Sequence, residues 1–377
     1  MIRRFVNLVA VNKSGRTYSL HRLDVSKHLF YQSTEEANAN KIHNGGRPSK
    51  IEKLRRLLPV SMHFHQFPNS TDRWWWLKDD KFVLLNSHSS EGRILHLTEE
   101  GPAFLYDADA RSMSAIPTRD GPVGSYPKFI SIAGDGAELG EVYLISNLFR
   151  EDQDDCPNFE VLKFNKYKWR SLPLPPSGWR LGPSLTTVDS GHTICVSSSA
   201  GTNCFDTRSQ EWKRTGDWKL PFHDRAHYVP ELDTWIGFSS RFALSLPYDL
   251  SASSDLSDID GQCAPTLQHV WEDFNLPLEK ESIVLSKRFL SVTIDKPKRW
   301  THLNQDLLNL GGGRFCIAKF FCELESVTFA DNEYDETGGE AMAESCTRNF
   351  VMLTGVEVLR GGESGEAGLR MVKHRSK

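Results

Sequence analysis

Phe205-Asp206-Thr-Arg-Ser-Gln-Glu-Trp212 decides the reading of this chain. An apolar strand ends in an aromatic residue and an aspartate. A short polar turn follows, and a tryptophan opens the next strand. Leu220-Pro221 then closes the phrase. The carboxylate of an Asp in this position can bond the backbone of its own turn. The Trp packs across the neighbouring strand, and the Pro ends pairing where the chain leaves the sheet.

The same phrase recurs along the chain. It reads Tyr106-Asp107, then Met113, then Ile116-Pro117, and again Phe164-Asn165, Trp169 and Leu172-Pro173. A weaker copy runs from Leu23-Asp24 to Phe30, and Val270-Trp271 with Leu276-Pro277 keeps only part of it. Between the copies lie short runs rich in Val, Ile, Phe, Tyr and Trp, bounded by Gly, Pro, Asp, Asn and Ser, which is the signature of strands. A repeat of hairpins with turn-capping residues implies an all-β architecture that closes its sheets.

The expected fold is a single β-propeller domain over residues 1–377, with six blades and one short inserted helix. Two segments stand apart as insertions: 27–58, basic and helical, and 324–345, an acidic loop. With both set aside, the chain divides into six blades slightly longer than the roughly 40–50 residues that a four-stranded blade needs. The expected helix follows Ser49 as N-cap and runs to Leu58, with Pro59 beyond its end. The N-terminal strands and the segment from Gly368 are expected to share one blade and close the ring.

Composition narrows the function classes. Lys and Arg total 45 and Asp and Glu 49, a formal charge of −4, so the basic footprint of a nucleic-acid binder is missing and no nucleic-acid partner is expected. No run of about 18 apolar residues is present, so no membrane span is expected. The opening Met1-Ile-Arg-Arg-Phe reads as the approach to a strand and not as a signal peptide. Seven scattered cysteines without a Cys-x-x-Cys pair fit reduced, buried thiols. That places the protein in the cytoplasm, the nucleus or both.

Several clusters carry residue types that chemistry uses. His63-Phe-His65 puts two imidazoles on one strand face, a zinc-compatible spacing, but no further ligand is fixed beside them and exposed strand histidines are commoner. His223-Asp224 and His227 could form a catalytic pair only with a positioned nucleophile, so turn and capping roles in a connection between blades are expected. Cys316 and Cys322 fall on one strand too far apart to share a metal. Gly311-Gly-Gly-Arg lacks the residues of a phosphate loop and reads as a turn. Ser251–Asp260 reads as a disordered loop. No catalytic residue, metal site or cofactor is expected.

Candidate partner-binding residues lie in two places. In Trp74-Trp75-Trp76 the alternation of a strand sends Trp75 to the face opposite the other two, and aromatic side chains are preferred interface anchors. Lys50, Lys53, Arg55 and Arg56 gather on the polar side of the expected helix, a basic patch with weak nuclear-import character.

The Tyr-Asp…Trp phrase resembles the kelch repeat, although a glycine run is present only at Gly311–Gly313. The wording of Arg3-Arg-Phe-Val-Asn-Leu-Val, of Tyr18 to Tyr31, of Gly216 to Phe222, of Tyr228 to Asp233 and of Thr354-Gly-Val-Glu-Val358 resembles grass-expanded, uncharacterised plant kelch-like proteins. These are similar to the plant domain-of-unknown-function family numbered 1618. The resemblance implies a propeller in a plant cell and supplies no activity.

The function expected on these grounds is a non-catalytic scaffold for a protein partner, present as a monomer. The alternatives are a metal-dependent hydrolase or lactonase of the propeller type, and a substrate adaptor for ubiquitin ligation without a recognisable F-box.

Overall fold

A computed structural model describes residues 2–12, 17–43, 52, 54, 58–65, 80–86, 91–98, 102–119, 123–133, 139–150, 153–175, 184–188, 191–239, 249–254, 256, 264–271, 280–287, 290–297, 299–328, 342–361 and 368–377. Its strands follow one another in antiparallel meanders. The first sheet holds β1 (Phe5–Asn12), β2 (Thr17–Asp24) and β3 (Val60–His65). Between β2 and β3 lie two helices, α1 (Val25–His28) and α2 (Thr34–His43). The second sheet runs β4 (Lys81–Leu84), β5 (Arg93–Leu97), β6 (Ala103–Asp107) and β7 (Ser112–Ile116). The third runs β8 (Ser125–Ile132), β9 (Glu141–Arg150), β10 (Gln153–Lys163) and β11 (Lys168–Ser171).

An eight-stranded sheet follows, made of two meanders. One is β12 (Ser184–Val188), β13 (Thr193–Ser198), β14 (Gly201–Asp206) and β15 (Glu211–Gly216). The other is β16 (Phe222–Val229), β17 (Thr234–Ser239), β18 (Leu250–Ser253) and β19 (His269–Trp271). A single parallel pairing, Leu185 beside Arg225, joins them. A hairpin of β20 (Lys280–Lys287) and β21 (Leu290–Pro297) precedes the last sheet. That sheet contains β22 (Arg299–Gly311), β23 (Arg314–Thr328), β24 (Met342–Arg360) and β25 (Leu369–Ser376).

The architecture is all-β with two short helices, in a β-propeller arrangement of four blades. Among the described residues, four hydrogen-bonded sheets have four or more strands. The expected count of six is not supported on that basis, because the first sheet has three strands and two meanders merge into one eight-stranded sheet.

Apolar cores lie between neighbouring sheets. Tyr18, Leu20 and Phe64 of the first sheet meet Ile94 and Tyr106 of the second. Leu95 and Leu97 meet Val142 and Leu144. Tyr143 and Phe159 meet Ile194 and Phe205. Cys195 and Cys204 meet Phe222 and Trp235, and Ile236 and Phe238 meet Phe315 and Val356. Leu310, Cys316 and Leu353 of the last sheet meet Val6, Leu23 and Leu29. The circuit thus returns to its start through buried side chains, the largest favourable contribution to the fold. The termini do not share a sheet as expected: β25 pairs with β24 and β1 with β2. Side-chain packing, together with Arg3 N donating to Leu310 O at 2.7 Å, joins the first sheet to the last.

The repeated phrase does the expected mechanical work. Asp107 accepts from the amides of Asp109 and Ala110, each at 3.0 Å. Asp206 accepts from those of Arg208 and Ser209 at 2.7 and 2.9 Å. Arg111, Tyr167 and Gln210, late in three successive turns, all take positive φ. Trp169 and Trp212 are equivalent, each in the second residue pair from its turn: Trp169 faces Leu162 and Trp212 faces Phe205. The weaker copy at Asp24 differs, because that carboxylate caps α1 through Lys27 N at 3.4 Å.

Three local expectations are corrected. The helix of the first insertion is α2, not 49–58: Glu36 N donates to Ser33 Oγ at 3.2 Å, and the Glu36 carboxylate takes Gln32 N at 2.9 Å. This reciprocal capping fixes the helix start upstream. Glu52, Leu54 and Leu58, the described residues of the expected helix, are not helical. The 324–345 insertion is narrower than expected, since β23 continues to Thr328 and β24 begins at Met342; residues 329–341 lie outside the described residues. The expected loop at Ser251 begins instead as strand β18, whose four residues are all buried.

Candidate functional site

A cavity of about 960 Å³ lies among the sheets. Its wall takes residues from β1, β4, β8, β12, β16 and β22, including Asn7, Val83, Lys128, Leu185, Arg225 and Asp306. These are the first strands of six successive meanders, and residues of β2, β17, β23 and β24, among them His21, Phe238, Ala318 and Leu353, line the cavity as well.

Strand β16 departs from regular pairing. His223 faces Phe238 and His227 faces Ile236, so four steps on β16 match two on β17. The extra residues bulge, and Asp224 takes φ 59°, a conformation unusual for a non-glycine residue. The bulge lies against Gly237, where a Cβ would come within 2.8 Å of the Phe222 ring and 3.2 Å of Ala226 Cα. Glycine within a strand commonly marks such a close backbone approach.

The charges of the bulge are unevenly matched. Asp224 Oδ1 pairs with Lys128 Nζ at 2.7 Å. Arg225 is half-buried and, among the described residues, makes a single hydrogen bond, from Nη1 to Phe129 O at 3.4 Å. Burial pushes the Arg225 pKa down, and the charge of Asp224 pulls it partly back. His227 is pushed down to about 3, first by desolvation and then by Arg225. It is therefore neutral, and its Nε2 donates to Leu307 O at 3.1 Å. Asp306 on β22 is raised by burial and by Asp224. Arg3 spends its guanidinium on Glu91 O at 3.0 Å, Asn86 Oδ1 at 3.1 Å and Leu85 O at 3.4 Å.

The cavity absorbs one expected cluster and corrects its setting. His223, Asp224 and His227 lie within strand β16, not in a connection. His63 and His65 are exposed on β3. Among the described residues no group of three or more His, Cys, Asp or Glu could hold a metal ion. Cys316 is buried, its thiol pushed up to about 12 by desolvation. Cys322 is disulfide-bonded, which departs from the expectation of reduced cysteines throughout. The candidate partner residues Trp75, Lys50, Lys53, Arg55 and Arg56 lie outside the described residues. Arg225 was missed by sequence reasoning, and its signal is Gly237 inside an otherwise apolar strand.

Sheets arranged as blades around a walled cavity place the chain in the β-propeller class. It belongs to the family described as "Protein of unknown function (DUF1668)", whose model matches residues 3–377. No curated protein matches it. Among solved structures it is similar to a protein of unknown function from Bacteroides thetaiotaomicron VPI-5482, with 12% identity and a TM-score of 0.35. That match covers 66% of this chain and 57% of the other, so the chain spans less than two thirds of the bacterial protein. A chain of the nidogen/laminin complex shares 12% identity at a TM-score of 0.35, covering 71% of this chain and 80% of its own. The N-terminal domain of Nup159 shares 9% identity at a TM-score of 0.34, covering 85% and 71%. No helix among the described residues is long and apolar enough to cross a membrane.

Proposed function

We propose that the protein is a non-catalytic interaction scaffold that holds a protein partner on the loops around a rigid frame. The observation that carries this reading is the circuit of shared apolar cores, from Tyr18 against Ile94 round to Leu310 against Val6. Each core fixes two sheets against each other, and such frames commonly present binding loops. The proposal includes a cytoplasmic or nuclear address, a monomeric chain, and binding through the segments of Trp75 and of Lys50 to Arg56. A kinship with kelch repeats belongs to it too, supported by the repeated Asp/Asn–Trp phrase, as do a plant setting and a link to the family numbered 1618, supported by the wording of segments such as Tyr18 to Tyr31 and Gly216 to Phe222.

Affinity capture from the source tissue, followed by size-exclusion chromatography, tests the scaffold. A protein that co-elutes at fixed stoichiometry, and is lost when Arg55 and Arg56 are changed to Glu, supports it. A purified chain that carries stoichiometric calcium and hydrolyses a lactone overturns it in favour of the hydrolase reading.

A further inference from the structure

We propose that the cavity is a binding site for a small organic anion, with a carboxylate or phosphate group seated on Arg225 and an apolar body along the walls. This stands apart from the scaffold reading, because it concerns the interior of the ring and needs no protein partner.

Three observations converge on Arg225. First, its guanidinium has five N–H donors in a planar fork suited to oxyanions, yet among the described residues it makes one long hydrogen bond. A desolvated cation is costly unless something meets its charge. Second, the residues carrying it sit on a bulge with Asp224 at positive φ. Bulges beside binding sites re-aim side chains, and strained backbone concentrates at such places. Third, it opens on a cavity whose volume falls in the range of ligand pockets, roughly 300–1,000 Å³.

The surrounding charges select the ligand's sign. Lys128 and Asp224 neutralise each other, and His227 is neutral. Arg3 has carbonyl and amide partners, and Asp306 stands on β22 at the exposed side of the wall, its pKa raised by burial and by Asp224. Glu231 lines the cavity from an exposed position. Among the described cations of the wall, Arg225 is therefore the least well met, with one hydrogen bond of 3.4 Å. Val83, Phe129, Leu185, Leu307 and Phe238 line the same space, which favours an anion attached to an apolar body over a bare ion.

Calorimetric titration of the full chain at low salt tests this. The probes are benzoate, phenyl phosphate, inorganic phosphate and the neutral control benzyl alcohol. Saturable binding of benzoate or phenyl phosphate is expected, with the tighter of the two naming the anionic group and with benzyl alcohol silent. Arg225→Met should weaken that binding about tenfold or more, while exposed Arg208→Gln leaves it unchanged. Arg225→Lys, which keeps the charge and loses the fork, should fall between. Should Arg225→Met fail to fold, Leu185→Trp decides the matter by filling the cavity, and it should abolish binding. The proposal is overturned if neither aromatic anion saturates at millimolar concentration, or if binding persists at wild-type strength in either cavity variant.

Discussion

The hairpin β14–β15 and the strand β16 lie in one eight-stranded sheet, a few residues apart in the chain, and obey opposite rules. In the hairpin every local choice agrees with the fold. Asp206 satisfies two turn amides, and Trp212 packs on Phe205 at 5.1 Å and Phe159 at 5.4 Å. Its indole Nε1 donates to Pro173 O at 2.6 Å. In β16 the register slips, an aspartate takes positive φ and an arginine points its charge into a cavity with one long hydrogen bond. Sequences violate local rules chiefly at functional or strained sites. The first region therefore serves stability and the second serves binding, and the two should respond differently to substitution.

The largest effect should come from the regular region. Trp212→Ala removes a ring held between two blades and should cost about 3 kcal/mol or more. Trp169→Ala should behave alike, since the two residues occupy equivalent places. Urea denaturation of both variants checks this. Losses below about 1 kcal/mol at both would break the contrast, since the repeated phrase would then carry no stability.

A buried charge with a full set of partners sharpens the comparison. Glu357 on β24 accepts from Arg314 Nε and from Thr34 Oγ1, each at 2.9 Å, with His374 Nε2 at 3.4 Å. It thereby ties the first insertion to the last sheet. The close approach of His374 leads the interactions that hold its carboxyl down to about 2, against an ordinary 4.5. A depressed folded-state pKa contributes stability above the unfolded value, and that stability is lost as pH falls through the folded one. Glu357→Gln should therefore destabilise by about 2–3 kcal/mol at neutral pH. The difference from wild type should shrink between pH 4.5 and about 2. Denaturation midpoints across that range would show it; a gap unchanged at low pH would mean that the clamp is not electrostatic.

Asp206→Ala should have a smaller effect, about 1 kcal/mol, comparable to losing a helix cap. Asp206→Asn should recover most of it, because a side-chain amide oxygen can accept the same backbone bonds. Thermal melts of the pair separate hydrogen bonding from charge. Equal losses in both variants would show that charge is what matters.

What was legible in the sequence follows the same division. The Asp107, Asp206, Trp169 and Trp212 signals are local, confined to one turn and the strand beside it, and they carried the all-β reading. Ser33 and Glu36 were equally local and were overlooked in favour of Ser49, whose downstream leucines mimic a helical stripe. The bulge of β16 could not be read in the same way. It depends on Gly237, a residue of the partner strand, and on a wall assembled from strands far apart in sequence. Blade counting failed for a related reason: parallel contact between Leu185 and Arg225 merges two meanders that the turns keep separate.

The smallest expected effect, and the one most specific to the comparison, belongs to Arg225→Met. Methionine has similar length and adapts its shape to fill irregular space. Removing one cation leaves no carboxylate stranded here, because Asp224 keeps Lys128 at 2.7 Å. Only the Phe129 carbonyl loses a donor, and that bond is 3.4 Å long. Against this stands the desolvation of the guanidinium, whose direction is visible in its lowered pKa. Replacing buried charge by apolar volume is often neutral or stabilising, so the variant should melt at or slightly above wild type, within about 1 kcal/mol. A hairpin residue cannot give that result: Trp212 and Asp206 only lose on substitution. If Arg225→Met instead destabilised as severely as Trp212→Ala, Arg225 would be a structural residue of the sheet, and the division between the two regions would fall.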